Sequence, residues 1–157
     1  SLNSTGSFMI QKASLGDEKI ESAKLSYALD SGKLKVESSV KSLRSNASLD
    51  LNSNDTGELS GAFSGNIDAS SISPLTRRFG KILGTARVNG VIYGKFAAPG
   101  IRAKVSGDTI AYNDISLDKA EGEIRLEDGF ISFYGPFKIK LYNESYSFAS
   151  RVKLSSG

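Results

Sequence analysis

The side chains best able to do chemistry in this chain are carboxylates, because the sequence contains no histidine and no cysteine. That removes imidazole and thiolate nucleophiles, a His general base and any Cys/His zinc site. Disulfides are excluded for the same reason, so cysteine usage gives no redox compartment. The remaining acids form no convincing catalytic pair. Asp17, Glu18 and Asp128 lie among turn formers, while Glu121, Glu123 and Glu127 recur along one strand face. Glycoside hydrolysis needs two facing carboxyl groups across a cleft, and a β-rich chain offers such pairs by chance. The run Asn52-Ser53-Asn54-Asp55-Thr56-Gly57-Glu58 echoes a calcium loop only superficially and reads better as a polar hairpin loop. Gly90 to Gly94 is followed by no helix, which excludes a phosphate-cradling loop. The expectation is a non-enzymatic chain with no catalytic residue, metal or cofactor.

What would position any site is strand alternation, the dominant signal in the 157 residues. From Ile82 the even positions read Ile82, Gly84, Ala86, Val88, Gly90, Ile92, Gly94, Phe96 and Ala98, whereas Thr85, Arg87, Asn89 and Lys95 stand between them. Side chains alternate faces along a strand, so one face is apolar and the other mostly polar. Val91 and Tyr93 break the rule on the polar side. Further alternating segments are Ile101-Ala103-Val105, Ile110-Tyr112, Ile115-Leu117, Ala120-Gly122-Ile124-Leu126, Phe137-Ile139-Leu141 and Phe148-Val152-Leu154. Turn formers such as Gly107-Asp108, Asn113-Asp114 and Asp128-Gly129 separate them. Turns this short make successive strands antiparallel, because parallel neighbours need a long crossover.

The first half repeats the pattern more faintly, in Ala23-Leu25-Tyr27-Leu29, Leu34-Val36-Val40, Ala47-Leu49-Leu51 and Leu59-Phe63-Ile67. Composition differs there: 18 of 26 serines precede residue 74, and 11 of 14 aromatics lie at residue 79 or later. Alternation nevertheless persists to Ile67 without a linker-like gap, which favours one β-rich domain over 1–157. One short helix is expected at Pro74–Leu83, capped by Ser73 and closed by Gly84. No apolar run approaches the roughly 18 residues that cross a bilayer. The opening SLNSTGSFMI has neither initiator Met nor signal-peptide character. The chain is therefore expected to be a segment of a longer protein, with any membrane anchor outside it.

Two features bear on function. Small residues separate Val88, Ile92 and Phe96 on the apolar face, whereas a two-layer sandwich would fill that face with branched side chains. The pattern suits a bent sheet around an apolar trough with room for an acyl chain; a tightly coiled sandwich with glycines at its bulges fits it equally. Charge is the second feature. Between Asp68 and Asp108 lie seven cations and no acid, against an overall net charge of +3. Arg87, Lys95, Arg102 and Lys104 fall on the polar face, as a headgroup-binding patch or as an ordinary solvated strand face. Nucleic-acid binding is not expected, because Tyr93 and Phe96 have opposite parity and share no stacking platform.

The run ILGTARVNGVIYGKFAAPGIRAKVSGDTIAYNDISLDKAEGEI resembles the AsmA-like superfamily, in particular its TamB branch. The likeness covers about residues 72 to 126: Ile72-Ser73-Pro74-Leu75, a Gly-punctuated strand, the turn Ala98-Pro99-Gly100, then Val105-Ser106-Gly107-Asp108 and Ile110 to Ile115. This resemblance implies an antiparallel meander curled into an open, groove-forming sheet of the β-taco kind. It also implies an inner-membrane-anchored protein of the periplasm or cell envelope of a diderm bacterium. Such proteins move phospholipid between the inner and outer membranes and partner an outer-membrane β-barrel in protein assembly. On that view phospholipid acyl chains meet Val88, Ile92, Phe96, Ile101, Ala103, Val105, Ile110 and Tyr112. Arg87, Lys95, Arg102 and Lys104 would form the outer or headgroup-facing set. The competing reading is a non-catalytic β-sandwich or barrel that binds carbohydrate or protein.

Overall fold

Period-two patterning and two-residue turns dictate the architecture of the computed structural model. It describes residues 3–15, 18–69, 81–113, 115–127, 130–133, 137–142, 144–148 and 151–153. The twelve strands among the described residues all belong to one antiparallel sheet. The first eight follow chain order: β1 (Ser4–Leu15), β2 (Glu18–Asp30), β3 (Lys33–Ser42), β4 (Asn46–Ser53), β5 (Glu58–Asp68), β6 (Ile82–Lys95), β7 (Ala98–Tyr112) and β8 (Ile115–Glu127). Beyond β8 the ladder is broken. β9 (Phe130–Phe133) and β10 (Phe137–Leu141) pair with the two halves of β8, while β11 (Glu144–Phe148) pairs with β10 and β12 (Arg151–Lys153) with β9. The serine-rich first half is thus part of the same sheet as the second. No helix occurs among the described residues. The helix expected at Pro74–Leu83 lies mostly outside them, and its last two residues, Ile82 and Leu83, instead open β6.

Local chemistry sets the turns. Asp30 pairs with Lys33, and the two residues between them have positive φ, 50° at Ser31 and 85° at Gly32, the type I′ geometry of tight hairpins. Asn54 organises the β4–β5 turn. Its side-chain oxygen accepts from the Thr56 N–H at 3.1 Å, the Thr56 hydroxyl at 2.7 Å and the Glu58 N–H at 2.9 Å. The run that echoed a calcium loop is therefore a hairpin turn whose key oxygen is already engaged.

Registers keep the apolar positions in phase. Opposed residues of an antiparallel pair share a face. Following partners from Phe8 and Leu25 leads through Ser38, Leu49, Phe63, Gly90 and Ala103 to Ile124. The flanking rows are as apolar: Ile10, Ala23, Val40 and Ala47 on one side, Leu51, Gly61, Ile92, Ile101 and Leu126 on the other. The substantial contacts between strands are all between ladder neighbours, so no second layer covers this face among the described residues. Accordingly, among the described residues only Leu59, Ala69, Ala103 and Ala120 are buried apolar residues.

Glycine on this face is a packing device. Gly90 opposes Phe63, whose ring lies across it; an added Cβ would sit 2.6 Å from Phe63 Cε1 and 2.6 Å from the Arg102 carbonyl oxygen. Tyr27 covers Gly6 in the same way. At β6's other end Gly84, with φ 107°, faces Thr109 and Ile110 at a break in the β6–β7 register. We expect Gly90→Ala to destabilise the chain by about 1–3 kcal/mol through overpacking. Urea unfolding measures this, and an unchanged midpoint would mean that Phe63 does not lie over Gly90.

Candidate functional site

The candidate site is the uncovered apolar face where β3 to β7 lie side by side. A shallow cleft of about 360 Å³ there is lined in part by Val40, Leu49, Phe63, Val88, Ile92 and Ile101, together with Ala47 and Ile67. Val88 opposes Val105, Ile92 opposes Ile101 and Gly90 opposes Ala103, so β6 and β7 present one apolar surface. Ala103 is 7% exposed, and Val105 is half-buried beside it.

The other sequence-predicted apolar residues are placed less uniformly. Ile110 follows the register break, and a Cβ on Gly107 would collide with its side chain, so it lies on the Gly107 side of the sheet. The matching change of phase in β8 leaves Asp118 and Lys119 both exposed between half-buried Leu117 and buried Ala120. Tyr112 pairs with Ile82 and Ile115 at the far end of β7. Phe96 is not on the strand face: it lies in the turn after β6, is 55% exposed, and its N–H donates to the Gly57 carbonyl at 3.2 Å.

Most of the cleft comes from residues not singled out in the sequence. Val40, Ala47, Leu49, Phe63 and Ile67 reach it from β3, β4 and β5. Their signal was the alternation of the first half, which needed only the register to join it to Val88 and Ile92.

The four cations Arg87, Lys95, Arg102 and Lys104 stand on the opposite face. Arg102 opposes Arg125 in β8, and Lys104 opposes Glu123. Like charges side by side are tolerated through acids: Arg102 Nε lies 3.5 Å from Glu123 and Arg125 3.6 Å from Glu127. Tyr93 donates its hydroxyl to Glu127 as well. Lys95 opposes Glu58, and Arg87 lies between Asn66 and Ser106. A second, larger cleft of about 660 Å³ opens on this side, lined in part by Ser48, Asp50, Ser64, Asn89, Arg102 and Lys104. A twisted sheet is saddle-shaped, so each face has its own concave direction. One sheet thickness separates these cations from the apolar cleft.

The chain matches no known family model, no characterised protein and no solved structure. The polar face carries ion pairs such as Lys35–Glu37 at 2.7 Å, Lys41–Glu21 at 3.0 Å and Lys119–Glu121 at 2.7 Å. Being exposed, each pair is screened by solvent and adds little to stability. The apolar face has no comparable internal partner. No group of three acids among the described residues could hold a metal ion.

The Tyr93–Glu127 bond has a measurable signature. Accepting that proton, and adding its own charge to the partly desolvated phenol, Glu127 raises the Tyr93 pKa above the ordinary 10.0. The folded state thus holds the phenolic proton more tightly than the unfolded chain. The pair's contribution is complete below pH 10.0 and fades as pH rises through the folded value. Glu127→Gln should lower the Tyr93 midpoint in an NMR titration of ring-labelled protein. No movement would show that the hydroxyl does not face Glu127.

Proposed function

We propose that the apolar face is a seat for hydrocarbon chains, and that the protein shields acyl chains of phospholipid in a bacterial cell envelope. The observation that supports this best is the register-locked apolar face across β1 to β8, which no second layer covers among the described residues. Exposed apolar patches of this extent mark lipid or protein interaction sites. Each methylene laid on such a surface gains about 0.8 kcal/mol. Curling of the sheet around the bound chains would make the trough that the family resemblance implies. In that setting the segment serves phospholipid passage between inner and outer membranes, or outer-membrane protein assembly with a β-barrel partner, and is anchored through parts outside it.

Headgroups do not fit against Arg87, Lys95, Arg102 and Lys104 while their tails lie in the apolar cleft, because these sets occupy opposite faces. In this reading the headgroup leaves the cleft at a strand end and the cations serve the outer surface. The polar-face cleft favours a second reading, a carbohydrate held by Ser48, Asp50, Asn89 and Arg102. A glycan array with the purified chain tests it, and binding lost in Asn89→Ala would support it.

For the lead reading the decisive comparison is Ile92→Asp against Val91→Asp, adjacent residues on opposite faces. Binding of a fluorescent fatty-acid analogue should weaken about tenfold for Ile92→Asp, as the introduced carboxylate must stay solvated. Val91→Asp should bind as the unaltered chain does. Equal affinities for both variants, each shown folded by circular dichroism, would remove the apolar cleft as the binding surface.

A further inference from the structure

The apolar cleft has a direction. Its lining runs through five neighbouring strands, from Ser38 and Val40 of β3, by way of Ala47, Phe63 and Val88, to Ile101 of β7. Four strand spacings make that about 19 Å, whereas along any one strand the lining extends four residues at most, as from Val88 to Ile92, or about 13 Å. The long axis therefore crosses the strands. Ala47 opposes Gly65 and Gly65 opposes Val88, so small residues form a low floor on β4 and β5. Rings cover Gly6 and Gly90, but the atoms nearest a Cβ on Gly65 are the Asn46 carbonyl oxygen and Ala47. Among the described residues no charged side chain lines this cleft, whereas Asp50, Arg102 and Lys104 line the larger one. Three serines contribute to it. Ser48 and Ser64 belong to the polar face, where their hydroxyls bond to each other at 3.0 Å. Ser38 is half-buried and shares the apolar face with its register partners Leu25 and Leu49. Among the described residues no group bonds to its hydroxyl. An apolar occupant that displaces water from this hydroxyl must supply a polar partner in its place.

We propose that the cleft holds a single unbranched acyl chain laid across β3 to β7, with its carbonyl end at Ser38 and its methyl end against Ile92 and Ile101. The inference rests on the reading of this face as a hydrocarbon seat and adds a direction, a length and a polar contact. The Ser38 hydroxyl donates to an acyl carbonyl oxygen, whether of a free fatty acid or of a phospholipid ester. An extended chain advances about 1.3 Å per carbon, so a path of about 19 Å takes roughly fifteen carbons. Ala47 and Gly65 set the depth, because a larger side chain at either would lift the hydrocarbon off the floor. Past Val40, which is 39% exposed, β3 ends at Ser42, and there a headgroup leaves the sheet.

Direction is read by NMR of methyl-labelled protein with stearate spin-labelled either near its carboxyl or near its methyl end. The first probe should broaden the Val40 signals most, and the second those of Ile92 and Ile101. Affinity for saturated fatty acids should rise about twofold per carbon from about ten carbons to about sixteen and then level off, an open cleft giving part of a buried methylene's full gain. Ser38→Ala should weaken palmitate about threefold to tenfold and leave diphenylhexatriene, a hydrocarbon with no polar end, unchanged. Ala47→Leu, at an exposed position, should weaken both probes about tenfold, and Ser48→Leu on the opposite face neither, each variant being shown folded by circular dichroism. Palmitoyl lysophosphatidylcholine separates the two sources: affinity close to that of palmitate identifies esterified chains, and affinity more than tenfold weaker identifies the free acid. Equal broadening of Val40 and Ile92 by both spin labels, or the reverse order, overturns the proposal. So does affinity that still climbs at about twenty carbons. In either case a loss of binding in Ile92→Asp would keep the face as a hydrocarbon seat, whereas a chain that binds none of these probes overturns both readings.

Discussion

The structure depends on phase: every strand from β1 to β8 must enter the ladder with its apolar residues on the same side. A slip of one residue would turn a whole strand over. Turn length enforces the phase. A two-residue turn such as Ser31-Gly32 links residues whose numbers add to an odd total, so apolar positions switch from odd in β2 to even in β3. Phe96-Ala97 does the same between β6, apolar at Val88 and Ile92, and β7, apolar at Ile101, Ala103 and Val105. Where β7 changes phase between Gly107 and Ile110, β8 changes with it at Asp118 and Lys119, and the shared surface continues.

Much of this was legible before any coordinates. Alternation located most of the strands, and Ser31-Gly32 and Asn113-Asp114 marked true hairpins, but Pro99-Gly100 and Gly107-Asp108, read as turns, lie inside β7, and Asp118 lies inside β8. Less legible was anything set by partners far along the chain. The small residues of β6 read as gaps, yet Gly90 is covered by Phe63 of the preceding strand, twenty-seven positions earlier. Phe96 continued the even series by type, but Lys95 already pairs with Ala98, so the residue after it belongs to the turn. The serine-rich half looked lightly packed because its cross-strand neighbours, Ser48 and Ser64 among them, bond to each other at 3.0 Å on the polar side while Leu49 and Phe63 carry the other.

The two faces solve the problem of a single layer differently. On the polar face charges and hydroxyls satisfy one another at short range, and water completes the rest. The apolar face has no such option, because half-exposed Val, Leu, Ile and Phe gain only from cover. Aromatic rings laid across Gly6 and Gly90 provide some of that cover from within the sheet. They also flatten the surface, so an occupant would lie along a smooth strip rather than drop into separate holes. A flexible hydrocarbon chain suits a strip better than a rigid ligand would, because it can follow the twist of the strands.

A sheet in which each strand leans only on its neighbours behaves as a one-dimensional array, with stability built from successive pairings and weakest at its ends. Within this chain the weakest joint is at β8, where the ladder divides: β9 pairs with one half of that strand and β10 with the other, and β12 and β11 lean on those two short strands alone. From β1 to β8 each strand is held along most of its length by its neighbours, so the apolar face is continuous where the array is best supported.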